Sequence, residues 1–394
     1  MIEKVVKKNE CVGCEACVQI CPQKAITAVR DAEGFLYPQT DVEKCIECGL
    51  CEQVCQTKNK KQPREPLNIY AAYNKNYNTK ITSSSGGLFA SFAEAILSQN
   101  GSVAGAVFDR EWNVCHCVTN KKSELEKIKR AKYVQSRIGN CYNEIDKLLK
   151  TDQKVLFSGT PCEIAGLLTF LGRDDANLVT IEIVCHGSPS PSIWSNYLDS
   201  ICDRQEITSI SFKDKSKGWE NYSISIKGIE GRQILKESRF KNPYVQGFLK
   251  NLYLRPSCYD CQNKSFRSGA DLTIGDYWGV DSAGIAHDGM GISLCYVNTT
   301  KGEKLLEQVA PNFEYRLLTE TEINKSRVLQ GAVKYSAKAP ANVKEFWTEY
   351  KQSDTEKRTR VIWKYAKDPL ITRIKRTIRA IIPSFIINNR KNRK

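Results

Sequence analysis

Histidine is scarce in this chain, with His116, His186 and His287 the only three in 394 residues. A Ser–His–Asp triad or a histidine-based zinc hydrolase site is therefore poorly supplied. His116 reads as ordinary sheet and His287 sits in a glycine-rich loop (GIAHDGMGIS), so only His186, next to Cys185, reads as near chemistry. Long apolar runs are missing too. No stretch of about 18 apolar residues occurs, and the sequence predicts no membrane span. The opening Met-Ile-Glu-Lys-Val-Val-Lys-Lys reaches a cysteine by position 11. That leaves no room for an apolar targeting segment and argues against a secreted disulfide framework. Neither G-x-G-x-x-G nor a Walker loop is present, so glycine spacing signals no nucleotide site.

What the chain does have is cysteine: 17 residues, which in a reducing cytoplasm read as metal ligands. Its apolar fraction of 41% supports ordinary cores in two or three domains. The net charge of +15 is uneven. Residues 357–394 hold 13 Lys/Arg against Asp368 alone, and the rest of the chain is nearly neutral.

Eight cysteines fall in two repeats. Cys11, Cys14, Cys17 and Cys21 have the spacing C-x2-C-x2-C-x3-C, followed by Pro22. Cys45, Cys48, Cys51 and Cys55 repeat it, with Gln56 in proline's place. Three close thiolates take three corners of a 4Fe–4S cube, and the fourth ligand comes from the other motif. The expected ligand sets are thus Cys11, Cys14, Cys17 and Cys55 for one cluster, and Cys45, Cys48, Cys51 and Cys21 for the second. Gly13 and Gly49 let backbone amides approach the sulfides. Zinc needs four ligands and paired knuckles, which leaves the extra steps unexplained. Residues 1–57 are therefore read as an α+β ferredoxin-type module, and the polar, proline-broken segment 58–66 as a linker.

Beyond Ile69 the pattern alternates strand and helix, predicting an α/β body with a mostly parallel sheet, its first part over 67–150 and its second over 151–340. Ser83-Ser84-Ser85-Gly86-Gly87 precedes an apolar helix, Leu88–Leu97. The serines suit N-caps; alternatively, the small residues open an anion site at a helix N-terminus. Lys154–Phe157 and Leu178–Val184 read as parallel strands around a helix that Pro161 begins. Cys162 and Cys185 then lie at carboxyl ends of neighbouring strands, where open α/β sheets bind ligands. The helix N-terminus is expected to favour a thiolate at Cys162. Cys258 and Cys261 form a further C-x2-C. These four suffice for a third cube, although spacing alone does not show that they meet. Cys115, Cys117, Cys141, Cys202 and Cys295 read as core.

Several motifs in order resemble the beta subunits of coenzyme F420 hydrogenases and dehydrogenases: SSSGG at 83–87, KYVQS at 132–136, SGTPCEIAGL at 158–167, CHGSPSP at 185–191, CYDC at 258–261 and TIGDYWG at 273–279. The resemblance implies a flavin enzyme with FAD beside a 4Fe–4S cluster on Cys162, Cys185, Cys258 and Cys261. It places flavin contacts on Ser85, Gly86, Gly87, Lys132, Tyr133, Ser136, Thr160 and Pro161. Lys132, His186 and Asp276 are the candidate catalytic residues. The expected protein is a cytoplasmic reductase passing electrons from a ferredoxin-type donor through three 4Fe–4S clusters and FAD to an organic acceptor. Relatives with a fused ferredoxin suggest an acceptor in surface polysaccharide synthesis. The competing readings are an electron-transfer subunit without its own substrate, a protein that reduces coenzyme F420 and a catalytically inactive scaffold.

Residues 341–394 read as a basic helical tail. Leu370, Ile374, Ile378, Ile381, Ile382 and Phe385 recur at helical spacing among Arg373, Lys375, Arg376 and Arg379, up to Pro383. Such a helix lies on an anionic membrane, each cation contributing up to about 1 kcal/mol, or docks on the body. No nucleic-acid motif accompanies it.

Overall fold

The protein is described from a computed structural model, which covers residues 1–280, 284–326 and 328–367. The front module is small: short helices bear the cysteine motifs, and strands β1 (Ile26–Arg30) and β2 (Leu36–Thr40) pair antiparallel between them.

The body is built on one sheet of eight strands. In chain order these are β3 (Asn68–Asn74), β4 (Ser102–Phe108), β5 (Val114–Thr119), β6 (Val155–Gly159) and β7 (Leu178–Ile183). A separate sheet follows, made of β8 (Ile207–Asp214), β9 (Ser223–Gly228) and β10 (Gln233–Ser238). The chain then returns to the large sheet as β11 (Leu272–Asp276), β12 (Ser293–Val297) and β13 (Phe313–Leu317), giving the order β13-β3-β12-β11-β7-β6-β4-β5. Only the central pairs, β4 with β6, β6 with β7 and β7 with β11, are parallel; β5, β12, β3 and β13 add antiparallel pairs at the flanks. The mostly parallel sheet expected from sequence is thus a mixed one with a parallel centre. Hairpin returns such as β4 to β5 and β11 to β12 need no crossover helix, which is why strand and helix do not strictly alternate.

Side-chain alternation shows how both faces are covered. Val103, Leu156, Ile181 and Ile274 turn to one face with Leu88, Phe92 and Ile96 of helix Leu88–Leu97 and Leu305 of helix Thr300–Val309. Ala104, Val155, Phe157 and Leu178 turn to the other, against Tyr142 and Ile145 of helix Cys141–Leu149 and Ile164 and Leu167 of helix Pro161–Leu171. Helix Pro161–Leu171 begins with Pro161 and a capping box between Thr160 and Glu163. Cys141 and Cys295 are buried, and Cys115, Cys117 and Cys202 pack partly buried against these apolar clusters.

Helices Val343–Gln352 and Thr355–Ala366 bury Phe346, Trp347, Tyr350, Val361 and Ile362 in an aromatic core with Trp194, Tyr244 and Tyr253. The front of the basic segment is therefore docked on the body; Leu370 to Phe385 lie outside the described residues. Among the described residues no helix is long and apolar enough to cross a membrane.

Candidate functional site

The module's cysteines line two cavities. One, of about 230 Å³, has Cys11, Cys14, Cys17 and Cys55 in its wall beside Ile2, Val6 and Tyr37. The other is walled by Cys21, Cys45, Cys48 and Cys51. Among the described residues no three His, Cys, Asp or Glu side chains gather tightly enough for a single metal ion. Thiols spread around a cavity suit the corners of a cube better than a zinc tetrahedron. Burial pushes the Cys14 thiol up to about 12, and Cys17 is raised further by burial and by Cys14, Cys11 and Cys55 beside it. Iron holds such groups as thiolates. Gly13 and Gly49 adopt positive φ of 72° and 76°, which their loops require.

In the body the chain ends of β6, β7 and the loop after β10 bring four more cysteines together. Cys162 interacts electrostatically with Cys185 and Cys261, and Cys185 with Cys258 and Cys261. The Ser188 amide donates to Cys258 Sγ at 3.3 Å. Lys264 Nζ donates to the Cys185 carbonyl at 2.8 Å. The helix N-terminus does not make Cys162 acidic: complete burial dominates and raises its thiol well above the ordinary value. A thiol so placed ionises on taking a metal.

Cys185 also belongs to the wall of a larger cavity, of about 680 Å³, at the carboxyl edge of the parallel strands. Ser85, Gly87, Lys132, Tyr133, Ser136 and Thr160 line it, as do His186 and Asp276. Gly86 stands behind that wall, its amide donating to Ser293 Oγ at 2.9 Å, and Pro161 is buried in the first turn of its helix. The serines of the SSSGG loop do not cap the following helix. Its N-cap is Gly87, with φ of 89° and no side-chain cap bond. The hydroxyls go elsewhere, Ser84 Oγ accepting from the Ala131 amide and Ser85 Oγ donating to the Ile292 carbonyl. Leu88, Phe89 and Ala90, the first turn, form part of the cavity wall.

Lys132 Nζ donates to the carbonyls of Ile128, Lys129 and Arg130 at 3.2–3.3 Å, and burial pulls its pKa down to about 7. His186 Nε2 lies 2.6 Å from Asn251 Oδ1, with its ring edge-on to Phe248 and its pKa lowered by burial. Asp276 accepts from Lys213 Nζ and, at 3.0 Å, from Trp219 Nε1. His116 does more than fill the sheet. It reaches the cavity, with Nδ1 at 2.7 Å from Ser136 Oγ and Nε2 at 3.9 Å from Glu163, and burial lowers its pKa.

The motifs did not reveal the contribution of the small sheet. Lys213, Tyr222 and Arg239 come from it or its edge and close the cavity opposite the large sheet, with Trp278. Arg239 lies over the rings of Tyr222 and Trp278, and its Nε is buried without a hydrogen-bond partner. The apolar alternation of Ser223–Gly228 signals a strand, but nothing local aims Lys213 or Arg239 at β11.

Residues 152–322 match the family described as the C terminus of the coenzyme F420 hydrogenase/dehydrogenase beta subunit, and residues 10–59 match a 4Fe–4S dicluster domain. The chain belongs to that beta-subunit family. Its dicluster domain makes it an iron–sulfur electron-transfer protein. Comparison with curated proteins finds no match. Among solved structures, a chain of the xenon-derivatised F420-reducing NiFe hydrogenase complex from Methanosarcina barkeri aligns with a TM-score of 0.47 and 13% identity, over 68% of this chain and 89% of that one. In this member of the family, the matched C-terminal domain carries Cys162, Cys185, Cys258 and Cys261 together with most of the cavity wall.

Module and body are in direct contact. A methyl group at Gly166 would lie 2.8 Å from Cys14 Cβ, so the helix that carries Cys162 packs its next turn on a cysteine of the front module. Gln19 Oε1 accepts from the Tyr142 and Asn143 amides at the start of helix Cys141–Leu149. Glu15 Oε1 accepts from the Ile138 amide at 2.9 Å.

Proposed function

We propose that the chain is an iron–sulfur flavoprotein oxidoreductase, taking electrons from a ferredoxin-type donor at its front module and delivering them through three 4Fe–4S centres and FAD to an organic acceptor. The observation that carries this reading is a continuous line of contact: Cys14 against Gly166, Gly166 on the helix of Cys162, and Cys162 beside Cys185, itself in the wall of the large cavity. The order of centres would be Cys21, Cys45, Cys48 and Cys51 outermost, then Cys11, Cys14, Cys17 and Cys55, then Cys162, Cys185, Cys258 and Cys261.

The cavity fits FAD on its own residues. Its volume lies within the range of about 300–1,000 Å³ usual for ligand sites. It offers the amides of an uncapped helix turn and the amine of Lys132 to a diphosphate. When bound, FAD would gather single electrons and release them as a hydride. Lys132 would neutralise phosphate or reduced-ring charge, and Tyr133, Ser136 and Thr160 would position the group. Asp276 is committed to Lys213 and Trp219, so it orients the cavity wall rather than moving a proton. His186, neutral and held by Asn251, is placed to meet the acceptor. Arg239 calls for an anionic group on that acceptor, a requirement that a phosphate-bearing sugar-linked compound would meet.

Anaerobic purification followed by iron, sulfide and released-flavin analysis tests the reading. About twelve irons and one FAD per chain are expected. About eight irons without flavin would remove the third centre and FAD together. Family membership favours a second reading, in which coenzyme F420 is the acceptor; reduction of that coenzyme by the chemically reduced protein selects it. Peripheral membrane contact through the basic residues 357–394 is checked by fractionation with and without 368–394, and equal solubility rules it out.

A further inference from the structure

Arg255 is among the largest fully buried side chains of the protein, 1% exposed, and among the described residues no carboxylate pairs with it. Its guanidinium is spent on the front module instead. Nε donates to the Cys11 carbonyl at 2.7 Å, and one terminal nitrogen donates to the Leu36 carbonyl at 2.8 Å and reaches Cys11 Sγ at 3.7 Å. The other donates to Gln135 Oε1 at 3.0 Å, and the plane lies over Tyr37 at 4.3 Å. Gly13 leaves room for it, since a Cβ there would come within 2.7 Å of the guanidinium. The backbone of Arg255 is tied to the body: its carbonyl accepts from the Cys258 amide at 2.9 Å, and its amide donates to the Ser188 carbonyl at 2.9 Å.

A buried cation without a counter-charge is costly, and neutral carbonyls only partly relieve it. A cysteine ligating iron is a thiolate, so Cys11 in the loaded protein supplies the missing negative charge. Resting on the cluster assignment proposed above, we infer that Arg255 is a positioning residue that raises the potential of the Cys11/Cys14/Cys17/Cys55 centre above that of its outer neighbour. Reduction there adds one electron and one negative charge, with no bond made or broken. A guanidinium hydrogen-bonded to the ligand sulfur stabilises the reduced form more than the oxidised one. The Cys21/Cys45/Cys48/Cys51 set has no such cation; the bond found there is from the neutral Ala25 amide to Cys21 Sγ at 3.3 Å. Electrons entering at the outer centre would then run inward, towards the loop that holds Cys258.

The test is a redox titration followed by electron paramagnetic resonance on the full-length, anaerobically loaded protein, with iron counted in every sample. Arg255→Gln is expected to shift one ferredoxin signal to lower potential and leave the other unmoved, while Arg255→Lys stays close to wild type because the charge remains. Gln135→Glu keeps the arginine and offsets its charge, so it should lower the same signal and decides the matter should R255Q fail to load. Unchanged potentials in R255Q or Q135E, or a fall in R255K as large as in R255Q, would overturn the inference. Wild-type protein without two ferredoxin signals would instead sink the cluster assignment on which it rests.

Discussion

In the front module, eight cysteines reach two cavities through loops of two or three intervening residues, whereas the body draws Cys162, Cys185, Cys258 and Cys261 from two strand ends and a turn beyond the small sheet. The first arrangement depends on local geometry and survives wherever the loops fold. The second exists only while the whole large sheet keeps its register. Damage to the body should therefore leave the module's iron in place, while damage to the module should leave the cavity shaped.

The largest break of this symmetry is Cys185→Ala. It should remove about four irons of about twelve and retain both ferredoxin signals, checked by iron analysis and paramagnetic resonance. Loss of module iron as well would show that the regions do not assemble independently.

Next is Lys215→Met. The buried Lys215 Nζ donates to the carbonyls of Lys80, Ser85 and Met290, tying β8's end to the SSSGG loop. Cutting that tie should cost about 2–3 kcal/mol, read as a lower melting temperature and faster proteolysis within 207–240, with module iron unchanged.

A smaller loss, about 1–3 kcal/mol, is expected from Gly166→Ala, because the new methyl presses on Cys14 and on Tyr142 Oη, 2.9 Å away. This change acts at the seam, so cleavage in the 58–66 linker should rise although each region alone is intact.

The smallest effect is a pH dependence confined to the body. Lys132 has a pKa pulled down to about 7 by burial, below its unfolded value, so its penalty on folding is full below pH 7 and fades as pH rises from there. An anion bound beside it would restore the proton. Calorimetry of FAD binding at pH 8 in two buffers should show proton uptake, absent in Lys132→Met, with affinity falling by at most about tenfold per pH unit above 7.

The same contrast explains what the sequence disclosed. The ligand sets of the module follow from spacing, and helix Leu88–Leu97 and strand Ser102–Phe108 follow from apolar runs bounded by Gly87 and Gly101. Pro161 announced its helix because proline fits a first turn. What stayed hidden was long-range. Nothing near Lys213 indicates that it will meet Asp276, and His116 looks like any sheet residue until Ser136 and Glu163 arrive beside it. The serines of SSSGG are ambiguous for a different reason: hydroxyls that suit a cap also suit the loop contacts they make.

Helix Pro161–Leu171 touches both regions, with Cys162 in its first turn and Gly166 against Cys14. Four residues of helix set that offset, a rise of about 6 Å and slightly more than one full turn. Deleting a single residue between them would swing one contact about 100° around the axis relative to the other. The helix is thus a gauge with a fixed scale, and a lineage can lengthen the linker at 58–66 or recast the loops around the cavity far more freely than it can edit those four positions. A ferredoxin exchanged into this chain by recombination would have to arrive already cut to that gauge.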